Sequence, residues 1–267
     1  MSVDPKPNNL PDEPFDKILA RFARVPSRRV ETETHIIYPE PRISAGLLGQ
    51  YIVSDPSRQK TILKNSKFAR KGAMFGYAKA RHAVSMALVE GSLSRDEIKS
   101  RADALNSESV TGMKRKENDL SVAALHEFAG MENFPEIEGA TKVQRPQSGW
   151  EKLDIKGVQV TFEPQIIFSF TDKKVTKVGG LVFHPTKSIP LNKEQNEIKA
   201  GDYVSVLLLK LLADELPSIG VPSPKNCYVA DVYRGDVYTA PTSFKTMLNH
   251  IADTCEVIAS LWSSVRQ

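Results

Sequence analysis

Hydrophobic residues change their spacing near the middle of the chain. Between residues 43 and 130 they recur every three or four positions, which predicts a series of amphipathic helices. Between residues 157 and 185 they alternate with polar residues at every second position, which predicts β-strands. The chain is therefore expected to build helices first and a sheet afterwards.

Local signals divide the helical half into separate elements. Asp55 followed by Pro56, and Ser94 followed by Glu97, are typical helix starts, because their side chains accept hydrogen bonds from free backbone N–H groups. The polar stretch 110–119 predicts a break before a short last helix. Ahead of these helices, the alternation over residues 30–38 predicts a strand or an extended segment.

The second half predicts a sheet that is interrupted by one helix. Residues 157–185 predict at least two adjacent strands and favour three, with a hairpin turn at 171–174. A long apolar helix is expected over 191–216, then a strand, a tight turn and a short strand over 226–241, and an amphipathic helix at the end. This order predicts an α+β fold with a mixed β-sheet of β-β-β-α-β order, flanked by helices and preceded by a helical N-terminal half.

Composition suggests one domain with a flexible start. Residues 1–29, rich in proline at their beginning, are expected to form a leader, residues 30–145 a mainly helical region, and residues 146–267 an α/β core packed with it. No apolar segment approaches the length of a membrane span or a secretion signal, so a cytoplasmic location is expected. Cys227 and Cys255 lack metal-ligand spacing and are expected to be buried apolar residues.

Positive charge is concentrated in one acid-free run. The net charge is only +4, but residues 56–89 contain eight Lys or Arg and no Asp or Glu. Such a run attracts a polyanion, although a solvated helix face has the same composition. The candidate nucleic-acid-binding residues are Arg58, Lys60, Lys64, Lys67, Arg70, Lys71, Lys79 and Arg81.

Several common catalytic signatures are absent from the sequence. There is no GxxxxGK[ST] phosphate loop, no GxGxxG, no GxSxG and no HxH or HExxH pair. Nucleotide hydrolysis by a phosphate loop and zinc hydrolysis at a local motif are therefore unsupported.

Residues 155–240 carry a resemblance to a known superfamily. Their element order, with RISAGLLGQYIVSDPSRQKTIL before them and AGDYVSVLLLKLL within them, is similar to the core of the PD-(D/E)XK nucleases, which include restriction endonucleases and RecB-like exonucleases. The resemblance implies a prokaryotic protein of genome maintenance, mobile elements or phage defence, with DNA favoured over RNA as its partner.

The metal-binding motif of that superfamily is only partly present. Such nucleases hold Mg²⁺ between an acid on the second strand and an acid on the third, followed two residues later by a lysine. In this chain FHPTK supplies Lys187 as the lysine, but Pro185 stands at the third-strand acid. At the first acid, Pro164 and Gln165 leave a neutral amide.

Nearby residues could replace the missing acids. The candidate catalytic residues are Glu163, His184 and Lys187, and the candidate metal ligands are Glu163 and Asp231. Mg²⁺ is expected only if the site is active. Each of these residues also has a structural interpretation, because Glu163 and Asp231 can be solvated strand residues, His184 a strand-end residue, and Lys187 a partner of an acid.

Three functions remain open at this point. The chain is expected to be a nucleic-acid-binding protein with a nuclease-like fold and a degenerate site. The first alternative is an active Mg²⁺-dependent nuclease. The second is a non-catalytic interaction or assembly factor, with a protein partner or a second copy docking on apolar residues of the last helix. Those residues are Ile251, Val257, Ile258, Leu261 and Trp262.

Overall fold

A computed structural model describes residues 29–70, 77–87, 93–143, 152–185 and 194–267, with the backbone alone at 194–199. Its helices are α1 Ala45–Val53, α2 Pro56–Lys67, α3 Ala78–Ala87, α4 Arg95–Ser107, α5 Gly112–Gly130, α6 Glu194–Glu215 and α7 Phe244–Trp262. Its strands are β1 Val30–Glu31, β2 His35–Ile37, β3 Arg42–Ser44, β4 Phe68–Arg70, β5 Thr141–Lys142, β6 Lys152–Ile155, β7 Val158–Thr161, β8 Ile166–Asp172, β9 Val175–His184, β10 Val221–Asp231 and β11 Asp236–Tyr238.

A five-stranded mixed sheet forms the centre of the molecule. Its strand order is β11-β10-β9-β8-β5. β8 and β9 form an antiparallel hairpin, and β10 runs parallel to β9 because α6 carries the chain back between them. The predicted α+β class is therefore confirmed, as is the long helix between the strands.

Helices cover both faces of this sheet. Successive side chains of a strand point to opposite faces, so Ile167, Val178 and Val229 join one buried cluster with α1, α6 and α7. Ile166 and Leu181 join a second cluster on the other face, built with α3, α4 and α5. The two clusters make a three-layered arrangement in which the strand ends lie between helical layers.

The strand β7 departs from the prediction of three adjacent strands. It belongs to a separate three-stranded sheet, of order β3-β7-β6, so β8 and β9 are the two strands of residues 157–185 that lie side by side in the central sheet. The reason is the turn at Lys156 and Gly157, which pairs β7 with β6, a strand that the sequence analysis did not identify. A period-two pattern indicates a strand but does not specify its neighbour.

Residues 112–119 of the polar stretch are helical, contrary to the predicted break. α5 runs without interruption from Gly112 to Gly130. Its first half is rich in Lys, Arg and Glu, which are good helix formers, and Arg115 pairs with Asp119 one turn later. A polar helix face was thus misread as a loop.

Other local predictions are confirmed. The Asp55 carboxylate accepts a hydrogen bond from the Arg58 N–H at 2.9 Å, and Ser94 caps α4 through the Glu97 N–H. The 171–174 turn joins β8 to β9 through Lys173 and Lys174. Residues 30–38 form two short strands with a turn between them, β1 and β2, which pair with each other and, through β2, with β4.

Strands from the two halves of the chain share sheets. β3 pairs with β7, and β5 pairs with β8, so the region 30–145 supplies strands as well as helices. The expected leader up to residue 28 and the boundary at 145 lie outside the described residues. Cys227 and Cys255 are buried free thiols, as predicted. Within the described residues, no helix is both long and apolar enough to cross a membrane.

Candidate functional site

The central sheet brings three of the predicted site residues to one end. β8 starts where the antiparallel β9 finishes, so Glu163, just before β8, lies at the same end of the sheet as His184. β10 runs parallel to β9 and places Asp231 directly beside His184 in the strand register. The Val232 N–H donates to the His184 carbonyl at 3.1 Å, which holds these two ends together. Lys187 lies outside the described residues.

Gln165 occupies the position that the resemblance assigns to the first acid. Its side chain is 3% exposed. The amide Nε2 donates to the Glu163 carbonyl, and Oε1 accepts from the Phe183 N–H. Its own N–H donates to the Leu181 carbonyl at 2.9 Å. Because both ends of the amide are hydrogen-bonded, Gln165 ties the start of β8 to β9 with a neutral group.

Glu163 is held by an arginine from the helical half. Arg81 of α3 places Nη1 2.7 Å from Glu163 Oε2. Glu163 is 61% exposed and Arg81 is 34% exposed, so the pair lies at the surface and contributes little to stability. Its main consequence is electrostatic, because a guanidinium neutralises the carboxylate that a metal ion would need.

His184 is half-buried at the end of β9. Its ring packs close to Gly46 in the first turn of α1, where an added Cβ would lie 3.4 Å from Nε2. Burial and the nearby Arg81 charge lower the pKa of His184 to about 4. At neutral pH the imidazole is uncharged, so it adds no positive charge to this end of the sheet.

This lowered pKa predicts a loss of stability in mild acid. The unfolded chain takes up a proton near pH 6.5 and the folded chain only near pH 4, so stability falls as pH drops through that window. We expect a loss of about 1 kcal/mol by pH 5.5 from this residue. Urea unfolding at pH 7.5 and 5.5 should therefore show a larger difference for wild type than for H184N.

A second measurement isolates the contribution of Arg81. NMR titration of the His184 ring should give a higher pKa in R81M than in wild type, because the arginine charge disfavours imidazolium. An unchanged pKa in R81M would mean that burial alone sets it.

The described residues at this end do not form a set of metal ligands. Among them, no group of three or more His, Cys, Asp or Glu side chains is placed to hold a metal ion. Gln165 is neutral and Glu163 is paired with a cation. Mg²⁺ favours several carboxylate oxygens, so the arrangement of the described side chains does not fit that ion.

The predicted basic run does not form one surface. α2 packs with the cluster on one face of the central sheet, and α3 packs with the cluster on the other. Lys67 donates to the Trp262 and Val265 carbonyls at 2.7 and 3.1 Å and so caps the end of α7. Burial, with a smaller contribution from Arg266, lowers the pKa of Lys67.

Two further members of the run are engaged on the α3 side. Lys79 binds Glu108 at 2.6 Å across a cleft of about 470 Å³ between α3 and α4, and Arg81 binds Glu163. Lys71 lies outside the described residues. On α2 and the adjoining strand, Lys60, Lys64 and Arg70 are exposed and Arg58 is partly exposed. The positive surface is therefore mainly that of α2.

The apolar residues proposed for partner docking are mostly structural. Ile251, Ile258 and Trp262 are fully buried in the cluster that α7 shares with α1 and α6. Val257 is 50% exposed and Leu261 is 43% exposed. Two exposed aliphatic side chains on one helix are ordinary for a protein surface.

Sequence reasoning missed the roles of Gln165 and Arg81 at this end. Gln165 was noted only as a departure from the metal motif, and Arg81 was assigned to the basic run. A glutamine in an apolar strand start was the available signal, since a buried amide must be hydrogen-bonded. No sequence pattern indicates the pairing of Arg81 with Glu163, because the two residues are 82 positions apart.

Comparisons with known proteins add no family assignment. No protein-family model matches the chain, and no curated protein has significant similarity to it. The resemblance to PD-(D/E)XK nucleases thus depends on element order and on the residues quoted above.

Proposed function

We propose that this chain is a nucleic-acid-binding protein with a nuclease-like α+β core and a non-catalytic strand-end site. The observation that carries the proposal is Gln165. An amide, bonded at both ends, stands where the resemblance requires a metal-binding acid. The neighbouring carboxylate of Glu163 is paired with Arg81, which reduces the negative charge that would attract Mg²⁺.

Charge supports binding without cutting. A nuclease site concentrates negative charge around its metal, whereas here the strand end holds a neutral amide and an ion pair. The exposed lysines of α2, in contrast, form a positively charged helix face of the kind that contacts phosphates. We propose a duplex or single strand of DNA as the partner in preference to RNA, following the superfamily that the chain resembles.

A cytoplasmic location is part of this proposal. Cys227 and Cys255 are both free and buried, which agrees with a reducing compartment. Burial raises the pKa of each thiol to about 12, so neither is a reactive thiolate.

Charge reversal on α2 tests the binding surface. Lys60 and Lys64 lie one turn apart on the exposed side of α2. The K60E/K64E variant should weaken binding of a 20-base-pair duplex by about tenfold, and should lower the slope of log K against log salt by about 2. Fluorescence anisotropy at 50 to 200 mM salt measures both quantities.

The matched control reverses two exposed lysines on the other face of the central sheet. K114E/K116E makes the same change in net charge on α5. Equal weakening by the two double variants would point to bulk charge rather than a surface on α2. Absence of duplex and single-strand binding by the wild-type protein at 50 mM salt would remove the proposed function.

A further inference from the structure

The β8–β9 hairpin ends in a turn that its residues disfavour. Lys173 and Lys174 both have positive φ, 48° and 68°. Two-residue hairpin turns of this geometry favour Asn-Gly, because side chains other than Asn, Asp and Gly are strained in the left-handed region. Two consecutive lysines therefore lower stability at a position where Asn-Gly would raise it.

The same end of the sheet is strongly positive. Residues 170–178 and 219–226 contain four lysines and one acid. That acid, Asp172, is bonded to Lys177 at 2.5 Å, and the pKa of its carboxyl is lowered mainly by this bond and also by the nearby Lys225. Lys173, Lys174 and Lys225 are exposed.

Two apolar side chains flank Lys177 on one face of the sheet. Phe170, Lys177 and Val221 are neighbours across three strands, so their side chains share a face. This is the face that α3, α4 and α5 cover near Phe183. Towards the hairpin the cover ends, since Val221 is 57% exposed and Phe170 is half-buried.

We propose that this hairpin surface binds single-stranded nucleic acid, with lysines at the turn contacting phosphates and with Phe170 and Val221 contacting unpaired bases. The inference rests on the proposed function but concerns a surface separate from α2. Charge complementarity indicates a polyanion, and the partly exposed Phe170 and Val221 indicate one whose bases are accessible. A duplex keeps its bases stacked and paired, so they are not accessible to Phe170 and Val221.

The strained turn provides an unusual test, because one variant should improve folding and impair binding. K173N/K174G replaces the lysines by the residues that the turn favours. We expect its Tm to rise by about 2–4 °C. We expect its affinity for fluorescein-labelled dT20 to fall on the order of tenfold, with a salt slope lower by about 1.4.

The matched control is K156N, in the other two-residue hairpin. Lys156 is exposed, has φ 52°, and precedes Gly157, so the change removes a charge and relieves a turn of the same kind. K156N should raise Tm without a comparable loss of dT20 affinity. Unchanged dT20 binding by K173N/K174G, or an equal loss of affinity for dT20 and for a 20-base-pair duplex in that variant, would overturn the inference while leaving the proposed function standing. Loss of all nucleic-acid binding in wild type would remove both.

Discussion

Replacing Gly179 by alanine is expected to lower the free energy of unfolding by about 1–3 kcal/mol, whereas the same change at Gly180 should cost far less. A Cβ on Gly179 would lie 2.6 Å from the Asn226 carbonyl oxygen and 2.6 Å from the Phe168 ring. Both neighbours are fixed, one as strand backbone and the other as a ring that is 2% exposed.

Gly180 is the matched control because it points to the other face of the same strand. A Cβ there would lie 3.4 Å from the Ile166 carbonyl oxygen and from Leu208 Cδ1, and a leucine side chain can shift by a few tenths of an ångström. Urea unfolding of G179A and G180A measures the difference. Equal losses in the two variants would contradict the close packing of β9 between Phe168 and β10.

Replacing Gln165 by glutamate is expected to lower the free energy of unfolding. In Q165E the carboxylate replaces a donor that bonds to the Glu163 carbonyl, so a buried negative charge faces an acceptor. We expect a loss of about 3 kcal/mol at pH 8. The penalty concerns the same residue on which the proposed non-catalytic site depends.

The pH dependence separates charge from lost hydrogen bonds. Burial raises the folded pKa of the new carboxyl above its unfolded value of about 4.3, so the penalty grows as pH rises and shrinks toward pH 4. Q165M loses both side-chain hydrogen bonds, including the one from the Phe183 N–H that a carboxylate can still accept, but it carries no charge, and its cost should not depend on pH. Urea unfolding of both variants at pH 4.5 and 8 makes the comparison, and a pH-independent cost for Q165E would show that its carboxylate is solvated.

Local sequence signals predicted most of the helices and strands. The pairing of strands that are distant in sequence was not predicted. Caps at Asp55 and Ser94 depend on neighbouring residues, so the sequence specifies them directly. β7 could pair with β6 or with β8, and the period-two pattern of its residues does not show which partner it takes. The polar start of α5 was misread because composition alone does not separate a solvated helix face from a loop.

The candidate site divides in the same way. Glu163, His184 and Asp231 lie at one end of the sheet because β8, β9 and β10 are neighbours in it, and the sequence predicted the strands that carry them. The ion pair at Glu163 was not predicted, because its partner Arg81 belongs to a helix that is distant in sequence. The basic run was continuous in sequence but is divided between two faces of the fold, because α2 and α3 pack on opposite sides of the sheet.

One incubation tests the central claim that the chain binds nucleic acid without cutting it. Labelled duplex and dT20 are incubated with excess protein and 5 to 10 mM Mg²⁺ or Mn²⁺, anisotropy is recorded, and the strands are then analysed on a denaturing gel. We expect salt-sensitive binding and full-length strands. Metal-dependent cleavage that disappears in E163A/K187A would contradict the account and identify an active nuclease.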